Sequence, residues 1–290
     1  MQVHNQVDET IMASKDYRES WCHAALILSK KIPVGSETAN KKIRELLLAF
    51  HSFEGIYDHF FGFISIDEKI KSQLDSAYKR IDFPFYAINI NDARYPDSLR
   101  HVENATPIIY CKGDLSLFNL KKTIAFVGTR ELNNVEHIEH SERVIKRLIA
   151  AGYEAIVSGL ATGSDTLGHK EAIKNGAKTI AVLGTPLDQF YPKENKSLQD
   201  LIGEEHLLVS EYPIGIRAFG SFFANRNRTT VGLAIEGIIV ARASDRSGTM
   251  YAVKHCVEQG KQLYILENNI NEISYEWVAK YKDKIKVIRR

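Results

Sequence analysis

Apolar positions recur along the first part of the chain at helical spacing. Trp21, Ala24, Ala25, Leu26 and Leu28 form one stripe. Ile43, Leu46, Leu47, Phe50 and Phe53 form a second, and Ile70, Leu74, Tyr78 and Ile81 a third. Residues three and four apart share a helix face, so the pattern predicts helices there. It changes at FYAINI (85–90), which alternates as a short strand and runs into the turn NDARYPDS. From residue 123 the pattern changes again. TIAFV (123–127), EAIVS (154–158), KTIAVL (178–183), LLVS (207–210), GIIVA (237–241) and QLYIL (262–266) are short apolar runs rich in Ile and Val, spaced by helical stretches. Such runs indicate a parallel sheet covered on both faces, with right-handed crossovers. The expected class is α/β: a doubly wound, mostly parallel, extended Rossmann-like sheet at 123–267. A smaller helical N-terminal domain (1–90) and a connecting segment (91–122) precede it, and a short basic tail (268–290) follows.

A length of 290 residues fits two domains. No apolar run approaches the ~18 residues of a membrane span. The opening MQVHNQVDET lacks the basic-then-apolar order of a signal peptide. Cys22, Cys111 and Cys256 lie far apart, without disulfide or metal-knuckle spacing. A reduced, cytoplasmic protein without membrane attachment is expected. Repeats and low-complexity linkers are absent from the sequence. The net charge of +2 is small for a nucleic-acid partner, and its distribution is uneven. Residues 1–113 carry 14 basic and 15 acidic side chains, residues 114–267 carry 18 of each, and residues 268–290 carry 6 and 3. The excess therefore sits in KYKDKIKVIRR, which reads as a solvated, solubilising end. A neutral core domain argues for a compact local site rather than a broadly basic surface.

In a doubly wound sheet, ligands bind beyond the carboxyl ends of the strands. That is where the informative residues fall: Gly128, Thr129 and Arg130; Ser158 and Gly159 through Gly163; Lys193 and Asn195; Ser210-Glu211-Tyr212-Pro213; and Ser247, Gly248 and Thr249. Arg226, Asn227 and Arg228 precede the fifth run, and Lys170 lies on the helix after the Gly-rich loop. Glycines admit close backbone approach, and helix N-termini present amides with partial positive charge. Small hydroxyls add hydrogen bonds, and arginines fork onto phosphate oxygens. The pattern therefore points to an anion site. Bland readings stand beside it: strand-end glycines as tight turns, Asp165 as a helix cap, Arg226 with Arg228 as a solvated pair, His137 with His140 likewise, and His169 as a packing residue. GTRELN is not the dinucleotide Gly-x-Gly-x-x-Gly, and Gly159–Gly163 lacks the P-loop Gly-Lys-Ser/Thr ending. With neither a Gly-x-Ser-x-Gly elbow nor a nucleophile–base–orienter set, no catalytic residue, metal or cofactor is expected.

The ordered motifs resemble those of the DNA-processing protein A (DprA, or Smf) family. They are Gly128-Thr129-Arg130, SGLATGSDTLGHKEAI (158–173), TIAVLGTPLDQFYPKEN (179–195), SEYPIG (210–215), FFANRNR (222–228) and SGTMYAVKHCVEQGKQLYIL (247–266), preceded by YPDSLRHVENATPIIYCKGDL (95–115). The resemblance covers roughly residues 90–267. It implies a dimeric protein that binds single-stranded DNA and hands it to the RecA recombinase in natural transformation. It makes Arg130, Lys193, Arg226 and Arg228 phosphate contacts, with Lys170 a further cation. Gly128, Ser158, Gly159, Gly163 and Ser247 become backbone-approach or hydroxyl positions, and Phe190 or Tyr191 stacking surfaces. The sequence departs from the family in three places. Thr162 replaces the usual Arg. ENNINEISYEW stands after Leu266 where the family has a Pro-Gly and long loop, and no winged-helix-like domain is expected. The N-terminal ~90 residues show no helix-hairpin-helix signature. Two other readings remain: a nucleotide sensor or phosphoribohydrolase-like enzyme, for which Ala252 stands where a catalytic Glu is usual, and a protein-binding scaffold that has lost DNA affinity.

Overall fold

The computed structural model describes residues 14–271 and 275–290. Residues 1–13, the start of the predicted helical domain, and 272–274, within the predicted tail, lie outside the described residues. Helices α1 (Lys15–Leu28), α2 (Glu37–Phe50), α3 (Phe53–Phe61) and α4 (Glu68–Tyr78) come first. The second apolar stripe, predicted to run on through Phe53, is broken. His51 caps α2 in the left-handed conformation (φ 66°), and Ser52 caps α3 through its side chain. Next come β1 (Tyr86–Asn89), α5 (Asp97–Arg100), β2 (Ile108–Gly113) and β3 (Thr123–Val127). The chain then alternates through α6 (Val135–Ala150), β4 (Ala155–Ser158), α7 (Ser164–Lys174), β5 (Lys178–Leu183), α8 (Lys196–Glu205) and β6 (Leu207–Ser210). It continues with α9 (Gly220–Asn225), α10 (Asn227–Leu233), β7 (Gly237–Val240), α11 (Thr249–Glu258) and β8 (Gln262–Leu266), and ends with α12 (Asn268–Asn271), α13 (Glu276–Lys280) and β9 (Ile285–Ile288).

The nine strands form one sheet in the order β1-β2-β6-β5-β4-β3-β7-β8-β9. From β6 to β9 every pairing is parallel, while β2 pairs antiparallel with both β1 and β6. The fold is thus the expected α/β doubly wound sheet, and all six apolar runs are strands. Strand order runs one way from β3 and the other way from β7, so the topological switch point lies between them. Successive side chains of each central strand enter different cores. Ile124 and Phe126 pack with Val144, Ile145 and Ala172 beneath α6 and α7, while Ala125 and Val127 pack with Val231, Val253 and Cys256 on the opposite face.

The N-terminal helices do not form a core of their own. Trp21, Leu26, Leu47, Phe53 and Leu74 pack in one cluster with Ala181 and Leu183 of β5, Leu208 of β6, and Ile108 and Tyr110 of β2. They cover the part of the sheet that α6 and α7 leave open. Buried polar contacts fix that placement: His23 Nδ1 lies 2.7 Å from the Tyr110 hydroxyl, and Ser20 Oγ 2.7 Å from the Tyr78 hydroxyl. The segment 268–290 is more than a tail, although the basic side chains of KYKDKIKVIRR are exposed. β9 adds parallel to β8, and Trp277 is 4% exposed. Its indole N–H donates to the Ala243 carbonyl at 2.9 Å, and its backbone N–H to Asp245 at 2.8 Å. In IKVI, Ile285 and Ile288 are half-buried against different cores on the two faces of the ninth strand, while Lys286 keeps charge on an exposed edge.

Two predictions follow from this packing. Trp277→Ala should cost about 3–5 kcal/mol, read as a lower unfolding midpoint in urea; a surface tail would show no change. Burial also holds both His23 and His169 neutral, with pKa values lowered to about 3. The unfolded chain binds protons below its own value of about 6.5 while the native chain does not, so stability falls as pH drops from there toward 3. The expected loss is roughly 1.4 kcal/mol per histidine per pH unit. A thermal midpoint unchanged between pH 7 and 5 would contradict this.

Candidate nucleic-acid interface

The loop after β3 lies at the switch point and is clamped from both sides. On one side, Ser164 of α7 donates its N–H (3.0 Å) and its hydroxyl (3.1 Å) to the Thr129 carbonyl. On the other, the Thr249 hydroxyl donates to the Gly128 carbonyl at 3.1 Å, and the Thr129 N–H donates to the Arg242 carbonyl at 2.8 Å. A Cβ on Gly128 would lie 2.5 Å from Ser164 Oγ, so only glycine allows this approach. The three segments enclose a cavity of about 410 Å³ at the carboxyl edge.

Eight of the predicted residues line that cavity: Gly128, Thr129, Arg130, Arg226, Asn227, Ser247, Gly248 and Thr249. Arg226 sits at the junction of α9 and α10 and is 5% exposed. Its guanidinium lies flat over the Gly159 backbone, where a Cβ would fall 1.5 Å from Nη1. It pairs with Asp165 at 3.6 Å, and Nη1 has the Thr230 hydroxyl at 3.4 Å. Nε is buried without a partner among the described residues. Burial pushes the Asp165 carboxyl up and the Arg226 guanidinium down, and each works against the other's shift by favouring its charged form. Arg130 is exposed at the rim, and its positive charge further depresses Arg226. Phe223 reaches in from α9, packs over Gly184, and has the half-exposed Tyr191 ring 4.7 Å away.

The other seven predicted residues do different work. Arg228 faces away from the cavity, because residues two apart on a helix point to nearly opposite sides. It is 7% exposed, bonded to Glu37 and donating to the Asn104 carbonyl at 3.1 Å, so it ties α2 to α10 and is no phosphate contact in this arrangement. The solvated-pair reading of Arg226 and Arg228 is overturned with it. Ser158 is buried, its hydroxyl spent on the Phe126 carbonyl at 2.6 Å. Asn195 is buried too, donating to the Leu160 carbonyl at 2.9 Å and to the Thr166 hydroxyl oxygen at 2.8 Å. It pins the Gly-rich loop from below. Gly159 and Gly163 do face other atoms closely, but these are the protein's own: Arg226, and the Thr129 and Arg130 carbonyls. Lys170 and Lys193 are exposed and lie outside the cavity lining.

The helix N-termini are also less open than expected. Ser164, Thr166 and Leu167 N–H groups donate to Thr129, Ala161 and Gly163 carbonyls, and Thr249 N–H donates to Ser247 Oγ. The arginines therefore supply the positive charge. His137 and His140 are buried under α6 rather than solvated, and His169 packs beneath the site with Nδ1 2.6 Å from Thr179 Oγ1. Asp165 lines the cavity and accepts the Ala161 N–H at 3.3 Å, so it braces the loop as well as the arginine.

A family profile, DNA recombination-mediator protein A, matches residues 86–280, about two thirds of the chain. The chain belongs to that family. DNA processing protein DprA of Streptococcus pneumoniae is 40% identical over 199 residues, 68% of this chain and 69% of the relative. That of Bacillus subtilis is 31% identical over 185 residues, 63% and 61% of the two chains. The fold agrees. The X-ray structure of the S. pneumoniae protein superposes with a TM-score of 0.67 at 27% identity, covering 99% of this chain and 95% of that one. The lower identity comes with a longer alignment, which takes in the N-terminal helices beyond the family match. A Helicobacter pylori DNA processing protein A, described for its single-stranded DNA binding mode, gives 0.61 at 25% identity over 71% and 92%.

The Gly159–Arg226 stacking yields a direct test. Gly159→Ala must displace the guanidinium from its seat. The sulfate-dependent rise in thermal midpoint should then fall to a small part of the wild-type rise. An unchanged rise would show that anions do not reach Arg226.

Proposed function

We propose that this chain is a non-enzymatic, single-strand DNA-binding member of the recombination-mediator family, acting as a homodimer that passes strands to the RecA recombinase. The carrying observation is the cavity at the switch point, with the buried Arg226 guanidinium short of hydrogen-bond partners and the free Arg130 at its rim. A phosphate oxygen supplies what Arg226 lacks, and a phosphodiester brings the charge Arg130 can meet. Phe223 and Tyr191 stand beside the cavity as ring surfaces for unpaired bases, a role that tolerates every base. The DNA-binding relative from H. pylori supports the same reading. An enzymatic role has less support, because the Ser247 and Thr249 hydroxyls are bonded to each other, the Thr129 hydroxyl accepts the Glu131 N–H, and the one buried carboxylate of the cavity pairs with Arg226.

The small volume of the cavity favours one second reading, a sensor of mononucleotides. Calorimetry with nucleoside monophosphates addresses it, since binding without single-strand affinity would establish the sensor.

Arg130→Glu and Arg226→Gln should each weaken oligonucleotide binding by on the order of tenfold or more. The loss should be nearly uniform across base compositions, because backbone contacts carry no sequence information. Gel shifts of single- and double-stranded DNA at two salt concentrations provide the measurement. Equal affinity for both forms, or binding indifferent to both substitutions, would sink the assignment.

A further inference from the structure

We infer that Asp165 is the built-in competitor of the DNA phosphate: it offsets the charge of Arg226 so that the site releases its strand readily. The inference rests on the single-strand reading above and adds to it a residue that sets residence time.

The geometry carries it. The Arg226 guanidinium cannot withdraw, because it is 5% exposed and seated on Gly159. Its only carboxylate partner among the described residues is Asp165 at 3.6 Å, longer than a good charge-assisted hydrogen bond. Both residues line the same cavity. The floor of the site is therefore close to neutral, and at the rim Arg130 stands beside Glu131. An entering phosphate must share the guanidinium with a carboxylate that never leaves. Without Asp165 the same cavity would hold a buried, uncompensated guanidinium, a strong anion trap. A strand bound there would dissociate slowly, which does not suit a protein that passes strands onward. Asp165 also accepts the Ala161 N–H, so it braces the Gly-rich loop while limiting the charge of its neighbour.

Asp165→Asn separates these two roles, since the amide keeps one oxygen to accept from Ala161 and loses the charge, its other oxygen becoming an NH2. The experiment compares the full chain, Asp165→Asn, Arg226→Gln and the double variant, by stopped-flow release of a labelled oligodeoxythymidine. Asp165→Asn should bind on the order of three- to tenfold more tightly, with the gain in a slower release rate. The slope of log affinity against log salt should steepen by up to about 0.7, one further single-strand phosphate contact. On the Arg226→Gln background the substitution should have no effect. Weaker or equal binding by a folded Asp165→Asn protein, or the same gain without Arg226, would overturn the inference. Asp165→Ser provides a second neutral variant should the amide misfold. If the wild type fails to bind the oligonucleotide at low salt, the single-strand reading falls by itself. Inorganic sulfate then decides Asp165: a larger sulfate-dependent rise in thermal midpoint for Asp165→Asn supports it, and an equal or smaller rise overturns it.

Discussion

The arrangement at the sheet edge depends on one contact, the Arg226 guanidinium lying on the bare backbone of Gly159. A buried arginine is costly unless its charge is met and its donors are used. Here the charge is met by Asp165, but few of the donors are used. The contact draws together three segments far apart in sequence: the loop after β4, the start of α7, and the junction of α9 and α10. Gly159 is needed because any side chain would occupy the guanidinium's place. Asn195 is needed because it holds the Leu160 carbonyl, and Leu160 sits in the left-handed conformation (φ 63°) between Gly159 and Ala161. The motifs are thus parts of one mechanical unit more than they are separate ligands.

That unit extends to the N-terminal helices. Arg228, two residues beyond Arg226, is tied to Glu37 at the start of α2 and to the Asn104 carbonyl. On the other flank, Gly35 (φ 71°) packs its backbone against the Phe222 ring, and Phe222 stacks on Tyr212 at 3.7 Å with an interplanar angle of 4°. Lys261 secures the far end of α10 by donating to the Val231, Gly232 and Ala234 carbonyls. The short helix that presents Arg226 is therefore gripped at both ends. The helices outside the family match share in building the site without lining it.

The sheet was legible in the sequence because its central strands are buried on both faces and so read as unbroken apolar runs. β2 and β9 were harder to see. IIYCKG carries a lysine and a cysteine, and IKVI lies within a strongly basic segment, with its half-buried Ile285 and Ile288 divided between the two faces. The location of the site was legible from the strand ends, but the division of labour within it was not. Spacing alone places Arg226, Asn227 and Arg228 together, yet helical geometry sends the two arginines to opposite sides. Likewise a serine after a strand reads as a free hydroxyl, while Ser158 bonds the Phe126 carbonyl of the neighbouring strand β3. The spacing of Arg226 and Arg228 held a usable signal, since two residues on a helix span about 200°.

The near-neutral charge of the core domain has a physical explanation in this structure. The cations at the edge are mostly balanced close by: Arg226 by Asp165, and Arg290, brought to the same edge by the parallel β9, by Glu136 and Glu267. What remains at the rim is the exposed Arg130 beside Glu131, with exposed Lys193 and Lys170 further out. Such a surface has little long-range field, so it would not concentrate duplex DNA or other polyanions indiscriminately. On the proposed function, attraction would develop only at contact, with a phosphate at Arg226 and an unpaired base against Phe223 or Tyr191. Duplex DNA offers the phosphate but keeps its bases stacked inside. On the proposed function, a site weak in charge and specific in contact would favour strands whose bases are already free.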